Sequence, residues 1–251
     1  MTGRVIAMVL AGGSGTRMGT DANKVYLPLA DVPILAYSLI AFEACAAVTD
    51  IVLVARPADA ALTADAVVRA RAGKVRVTVP GGATRQGSER AGLTAVGALD
   101  GVTPDDLVLI HDGARPFVTV ELIGSLVTAA RAHGGAIPGL PFTSAVHELG
   151  AADARLRSVD TAALRRVQTP QAFPLGVLVD AYAAARANGF DGVDTADTVR
   201  HHHVGAQPAT PCSIAIVSGD ARNLKVTTPE DLAVATDLAA QWTHGGWAES
   251  G

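Results

Sequence analysis

The chain has 251 residues, 49% of them apolar, a formal charge of −4 and two cysteines. That suits one α/β domain, or one domain with an inserted arm, around a substantial core. The acidic balance argues against a broad nucleic-acid or membrane-binding face, and Cys45 and Cys212 supply neither a disulfide framework nor zinc-ligand spacing.

Val5 to Leu10 is a short apolar run rich in β-branched residues, which predicts a buried strand. Arg4 precedes it, but the run is too short for a secretion signal and leads into a glycine loop rather than a cleavage site. No segment has the length needed to span a bilayer, so a cytoplasmic protein is expected. The periodicity then predicts a helix over 33–46, a strand over 51–55, an alanine-rich helix over 58–72 and a strand over 75–79. Ser88 is placed to cap a helix running to Ala98. A strand over 107–110, a helix over 120–133 and a strand over 135–140 follow. From 141 to 168 the pattern breaks into short alternating runs that suggest an extended arm. Helix resumes over 175–188, a late strand covers 214–217, and a last amphipathic helix spans 229–242. The expected organisation is one domain over 1–240 with 141–168 as its arm, and a flexible tail over 243–251. Strands separated by helices imply a doubly wound, mostly parallel sheet. Ligands of such sheets lie outside the strand carboxyl ends, so the loops after Leu10, Val79 and Ile110 should face one crevice.

The first of those loops is Ala11-Gly12-Gly13-Ser14-Gly15, followed by Arg17 and Lys24. Glycines there permit positive φ and close approach to main-chain N–H groups, so the loop can wrap a polyphosphate. Arg17 and Lys24 bring two cations to the same mouth. The spacing is neither that of a P-loop nor that of a dinucleotide fingerprint. The second loop, Pro80-Gly81-Gly82-Ala83-Thr84-Arg85-Gln86-Gly87-Ser88, is by itself an ordinary glycine turn with a capping serine. The third, His111-Asp112-Gly113-Ala114-Arg115-Pro116, sets a carboxylate just past a buried strand. It can bind Mg²⁺ or accept from hydroxyls, with Arg115 able to fork onto phosphate. Lys225 stands in Asn223-Leu224-Lys225-Val226-Thr227 ahead of a helix start marked by Thr228 and Pro229. His201-His202-His203 reads as a surface tract, because neighbours on a helix point in different directions.

Leu10-Ala11-Gly12-Gly13-Ser14-Gly15-Thr16-Arg17-Met18 with Lys24 behind it resembles the signature of nucleotidyltransferases. The nearest likeness, over roughly 5–238, is to the 2-C-methyl-D-erythritol 4-phosphate cytidylyltransferases and their ribitol-5-phosphate relatives. The later motifs, Gly81-Gly82…Arg85…Ser88, His111-Asp112…Arg115-Pro116, Gln168-Thr169-Pro170-Gln171…Phe173 and Asn223-Leu224-Lys225, extend it. The resemblance implies a Rossmann-like nucleotidyltransferase fold and an Mg²⁺-dependent transfer of CMP from CTP to a polyol phosphate in isoprenoid biosynthesis. It implies Arg17, Lys24 and Lys225 as catalytic cations. Leu10 to Gly15, Gly82 and Ser88 would hold the nucleotide, and Asp112, Arg115 and Thr169 the acceptor. It further implies a homodimer through the 141–168 arm. The metal ligands stay unassigned, Asp220 being read as an exposed turn carboxylate.

The acceptor half departs from the family pattern. Ser144 and Ala145, then His147, replace an Asp-Thr pair and a basic residue, and Thr161 stands where the family has an arginine. Val193-Asp194-Thr195-Ala196 replaces Thr-Asp-acidic-Ala, and Ala83 replaces a frequent acid. Sites that hydrogen-bond their substrate lose discrimination when such groups go. Methylerythritol phosphate is the first expectation for the acceptor, with ribitol 5-phosphate or another phosphorylated acceptor as the alternative. A silent nucleotide-binding relative and a sugar-1-phosphate enzyme using UTP or dTTP are the remaining readings.

Overall fold

The structure, a computed structural model, describes residues 3–13, 23–150, 155–205, 212–243 and 246–247. In chain order the elements begin with β1 (Val5–Leu10), β2 (Pro28–Leu29), β3 (Val32–Pro33), α1 (Ile34–Ala44), β4 (Asp50–Ala55), α2 (Ala60–Ala70) and β5 (Val75–Pro80). They continue with α3 (Arg85–Gly97), β6 (Leu107–Asp112), α4 (Val120–His133), β7 (Gly134–Pro141), β8 (Val146–Leu149), β9 (Leu156–Val159) and β10 (Arg165–Val167). The last are β11 (Gln171–Pro174), α5 (Leu175–Asn188), α6 (Thr195–Gly205), β12 (Ser213–Ser218), α7 (Pro229–Ala239), β13 (Trp242–Thr243) and β14 (Gly246–Trp247).

An eight-stranded sheet runs in the order β10-β7-β11-β6-β1-β4-β5, with β12 on β7. β1, β4, β5 and β6 pair in parallel, as does β12 with β7, while β10 and β11 run antiparallel to their neighbours. Alternation along β1 divides the core. Val5, Ala7 and Val9 face a cluster built with α1, α2, α4 and α7. Ile6 and Met8 face the other side with residues of α3, α5 and α6. A strand buried on both faces has to be apolar throughout, which is why this run is legible. On the second face α3 lies so close to the sheet that a Cβ on Gly92 would collide with Met8 Sδ.

Three expectations change. Helix α3 starts at Arg85 under Thr84, whose side chain accepts from Gly87 N, so Ser88 is inside the helix and not its cap. The 141–168 arm is narrower than expected: β8 and β9 form an exposed hairpin, but β10 rejoins the main sheet against β7. The expected loose tail includes Gly246–Trp247, whose backbone pairs with Trp242–Thr243 in a short ladder, following a buried Trp242.

Candidate active site

The loops after β1, β5 and β6 meet at one crevice of about 480 Å³, a size suited to a small-molecule ligand. Leu10, Gly12, Gly13 and Lys24 line it on one side, and Gly82, Arg85 and Ser88 on another. Asp112 and Lys225 close it between them. Ser14, Gly15 and Arg17 lie outside the described residues.

Gly12 and Gly13 do not use positive φ. Their smallness serves access instead: among the described residues, a Cβ on Gly13 would meet nothing within 4 Å, and one on Gly12 only Ser88 Oγ at 3.7 Å. Gly82 is constrained more tightly, because a Cβ there would stand 2.6 Å from the Gly87 carbonyl carbon. Ser88 Oγ accepts from Gly82 N (3.1 Å) and donates to Thr84 O (3.0 Å), so the serine holds the loop against the first turn of α3.

Ala11 is buried behind the loop, and its carbonyl accepts from Asn23 Nδ2 at 2.7 Å. The same amide donates to Asp59 Oδ2 (2.9 Å), and Arg56 forks onto that carboxylate at 2.7 and 2.9 Å. One buried asparagine, immediately before Lys24, therefore ties Ala11 to Asp59. Leaving its groups unpaired in the core would be costly, so the tie fixes Ala11 and Asn23 relative to each other.

Asp112 ends β6 and is the focus of the charges. Arg85 Nη2 lies 3.2 Å from Oδ1, and Lys225 Nζ 2.8 Å from Oδ2. Burial alone would raise the Asp112 carboxyl, but Arg85, Lys225 and Arg115 together hold it well below the usual carboxylate range. Lys225 reaches it because its loop is fastened from behind. Val226 N donates to Ala114 O (2.8 Å), and Arg115 Nη1 to Asn223 O (2.8 Å). Asn223 Nδ2 donates to Thr169 O (2.9 Å), while Gln168 Nε2 donates to Asn223 O (3.0 Å).

Thus the crevice brings Lys24, Lys225, Gly82, Ser88 and Asp112 together, and Arg115 and Thr169 are not among its lining residues. Arg115 is turned onto the Asn223 carbonyl. Thr169 is buried; its hydroxyl accepts from Asp112 N (3.0 Å) and pairs with His111 Nδ1 (3.2 Å). Both support the carboxylate from behind. His111 is fully buried against Phe42, and burial pushes its pKa down to about 4. Asp220 pairs with Arg222 at 2.9 Å.

Sequence reasoning missed Arg85, although it stands in a quoted motif, because a lone arginine in a glycine turn carries no signal of its partner. It missed Asn23 and Glu89 for the same reason. Among the altered positions, Ser144 and Ala145 are exposed on the arm and Val193 is 86% exposed. Thr195 is different: it is fully buried and donates to Glu89 Oε1 at 2.9 Å. Burial pushes the Glu89 carboxyl up, opposed by Arg85, Tyr182 and Thr195.

Among the described residues no group of three His, Cys, Asp or Glu side chains could hold a metal. Of those residues, Asp112 is the one carboxylate lining the crevice. That donor set fits a hard divalent ion carried mainly by phosphate oxygens and touched by a single carboxylate.

The profile of the 2-C-methyl-D-erythritol 4-phosphate cytidylyltransferase (IspD) family matches residues 5–240. The chain belongs to this family. It is 38% identical over 234 residues to the 2-C-methyl-D-erythritol 4-phosphate cytidylyltransferase of Geobacillus kaustophilus, covering 93% of this chain and 96% of that one. The solved 4-diphosphocytidyl-2C-methyl-D-erythritol synthase of Anaerococcus prevotii superposes with a TM-score of 0.81 at 25% identity, covering 96% of this chain and all of that one. The solved cytidylyltransferase of Thermus thermophilus gives 0.71 at 30% identity, covering 94% and 99%. The cytidylyltransferase likeness thus extends through the arm and the α7 side as well as the glycine loops.

Proposed function

We propose that the chain transfers CMP from CTP to 2-C-methyl-D-erythritol 4-phosphate, releasing pyrophosphate and forming 4-diphosphocytidyl-2-C-methyl-D-erythritol. The observation that carries this is a family match over residues 5–240 whose motifs meet at a single charged crevice.

The nucleophile is a phosphate oxygen of the acceptor, already anionic at neutral pH, so no general base is needed. It forms a bond to the α-phosphorus of CTP as the bond from that phosphorus to the β-phosphate's bridging oxygen breaks. The electron pair leaves with pyrophosphate. The protein's task is to bring two anions together and hold charge at the transition state. Lys24 lines the crevice and serves the triphosphate and the leaving pyrophosphate, a role proposed from the family motif for Arg17 as well. Lys225, held by Asp112, orients the attacking phosphate. Gly82 and Ser88 shape the nucleotide end of the crevice, and Asp112 keeps Arg85 and Lys225 from collapsing onto the substrate phosphates. Asp112 is the lining carboxylate that would touch an Mg²⁺ brought in with CTP, and such an ion would supply charge neutralisation at the phosphate oxygens.

We further propose a homodimer through the β8–β9 hairpin and a cytoplasmic site of action. Leu149 and Leu156 of that hairpin are 64% and 69% exposed, and a second copy is the cover they best suit. Among the described residues no helix is long and apolar enough to cross a membrane.

The test is pyrophosphate release with CTP and Mg²⁺ across methylerythritol 4-phosphate, ribitol 5-phosphate, erythritol 4-phosphate and sugar phosphates. Preference for methylerythritol 4-phosphate is expected. Turnover confined to another acceptor would transfer the assignment to that acceptor, and silence with all of them would refute it.

A further inference from the structure

Glu89 is a charged side chain that the transfer chemistry leaves unused. It lies in the wall behind the crevice, 1% exposed, on the first turns of α3. Three elements converge on its carboxylate. Tyr182 of α5 donates to Oε2 at 2.6 Å, and Thr195 of α6 donates to Oε1 at 2.9 Å. Arg85 Nη1 stands 3.0 Å from Oε1. The other end of the same guanidinium, Nη2, stands 3.2 Å from Asp112 Oδ1, and Lys225 meets the second oxygen of Asp112. The result is a continuous chain of charges from the α5–α6 layer to the crevice, with Arg85 as its joint.

Burying a carboxylate is costly unless it is paired and hydrogen-bonded, and Glu89 has both. Tyr182 is 3% exposed and Thr195 fully buried, so neither donor has water as an alternative partner. Arg85 by contrast carries several rotatable bonds and lines the crevice. Held by Asp112 alone, it could fork onto both oxygens of that carboxylate, the bidentate geometry arginine prefers, and so displace Lys225. Held by Glu89 as well, it offers Asp112 one nitrogen and leaves the other oxygen to Lys225.

We infer that Glu89 is a positioning residue: it divides the Arg85 guanidinium between two carboxylates, so that Lys225 keeps its place on Asp112 beside the substrate phosphates. Thr195 gains a role by the same geometry. Its family acid is absent, and its hydroxyl now meets a carboxylate that comes from α3. The inference rests on the CMP-transfer reading for its turnover readout, but not for its binding readout.

The experiment is a double-mutant cycle on the full chain with Glu89→Gln, Arg85→Gln and both together. CTP affinity is read by calorimetry with Mg²⁺, steady-state pyrophosphate release with methylerythritol 4-phosphate, and folding by thermal unfolding. Glu89→Gln should lower kcat/KM about tenfold to a hundredfold, the size seen when a supporting partner is removed, and mainly through kcat. The double variant should match Arg85→Gln within about twofold, since a residue that acts through another is non-additive with it. Should Glu89→Gln fail to fold, Glu89→Thr combined with Thr195→Glu returns a carboxylate to the space between Tyr182 and Arg85. That pair should recover folding and turnover within about tenfold of wild type by the same coupling logic.

Wild-type kinetics in Glu89→Gln, effects that multiply in the double variant, or a folded but inactive transposed pair would each overturn the inference. A wild-type protein that binds CTP but turns over no acceptor would sink the transfer reading alone. The same cycle, read in CTP affinity, would then decide the role of Glu89 by its additivity. Wild-type protein with neither binding nor turnover would overturn both.

Discussion

The crevice and the arm are built on opposite terms. At the crevice Asn23, Glu89 and Asn223 are at most 1% exposed and Asp112 9%, and each has a hydrogen-bond or ion-pair partner. In the arm, Ser144 and Ala145 and nearly all of β8 and β9 are exposed, and Leu149 and Leu156 face outward. Arg85, Asp112 and Lys225 are thus held within one chain before any ligand arrives. The hairpin has only its own two-stranded ladder, and a two-stranded ladder alone is marginal in water. Preorganised charge costs little reorganisation at the moment of reaction, whereas an uncovered apolar hairpin suits contact with a second molecule.

This contrast predicts a hierarchy of effects. Replacing a proposed catalytic cation, by Lys24→Ala, Arg17→Ala or Lys225→Ala, should lower turnover by about 10²–10³-fold or more, as with other groups that stabilise transition-state charge. Stopped-flow pyrophosphate release measures it, and a rate within about threefold of wild type for all three would erase the distinction between the regions. One layer behind, Asn23→Ala removes the donor to the Ala11 carbonyl and one donor to Asp59, which keeps Arg56. It should cost about 1–3 kcal/mol of stability together with a rise in the CTP KM. Urea titration with CTP kinetics checks both, and unchanged values would mean that the loop is held from elsewhere.

The buried His111 gives a pH signature. Its folded pKa of about 4 lies below its ordinary 6.5 because burial disfavours the charged ring. The unfolded chain therefore binds more protons between those values. Stability from this residue is full above about pH 6.5 and falls as pH drops toward 4, by on the order of 2–3 kcal/mol if this site dominates. The slope in denaturant midpoints over that window should flatten in His111→Phe, and an unchanged slope would assign it to other groups. The arm should show the smallest change in fold stability. Leu149→Asp with Leu156→Asp should move the unfolding midpoint by less than about 0.5 kcal/mol while shifting sedimentation from dimer to monomer. A monomeric wild-type protein with full activity would contradict the proposed role of the hairpin.

Legibility followed burial. Strands such as β1 and β4, apolar on both faces, and α4 and α5, whose predicted spans coincide with the structure, were readable because periodicity records burial directly. The antiparallel β11 was not, since Gln171–Pro174 is a four-residue run whose place between β6 and β7 is set by long-range pairing. Lys24, Asp112 and Lys225 were visible as cations and a carboxylate at strand ends. Their fastening was not: Arg85 with Glu89, Asn23 with Asp59 and Thr169 with Asp112 join residues up to 57 positions apart. Sequence shows which groups carry charge; only the fold shows which ones are held. The inward contacts of Arg115 with Asn223 O and of Thr169 with Asp112 N, which hold the loops that carry Asp112 and Lys225, were not legible for that reason.

The central claim is that this crevice joins a phosphate oxygen to the α-phosphorus of CTP. Phosphorus-31 NMR of wild-type protein with CTP, Mg²⁺ and methylerythritol 4-phosphate observes that bond directly. The account predicts loss of the acceptor's phosphomonoester signal, a new pair of coupled diphosphate-diester resonances and free pyrophosphate in equal amount. A spectrum in which the monoester persists, with CTP intact or merely hydrolysed, would contradict it.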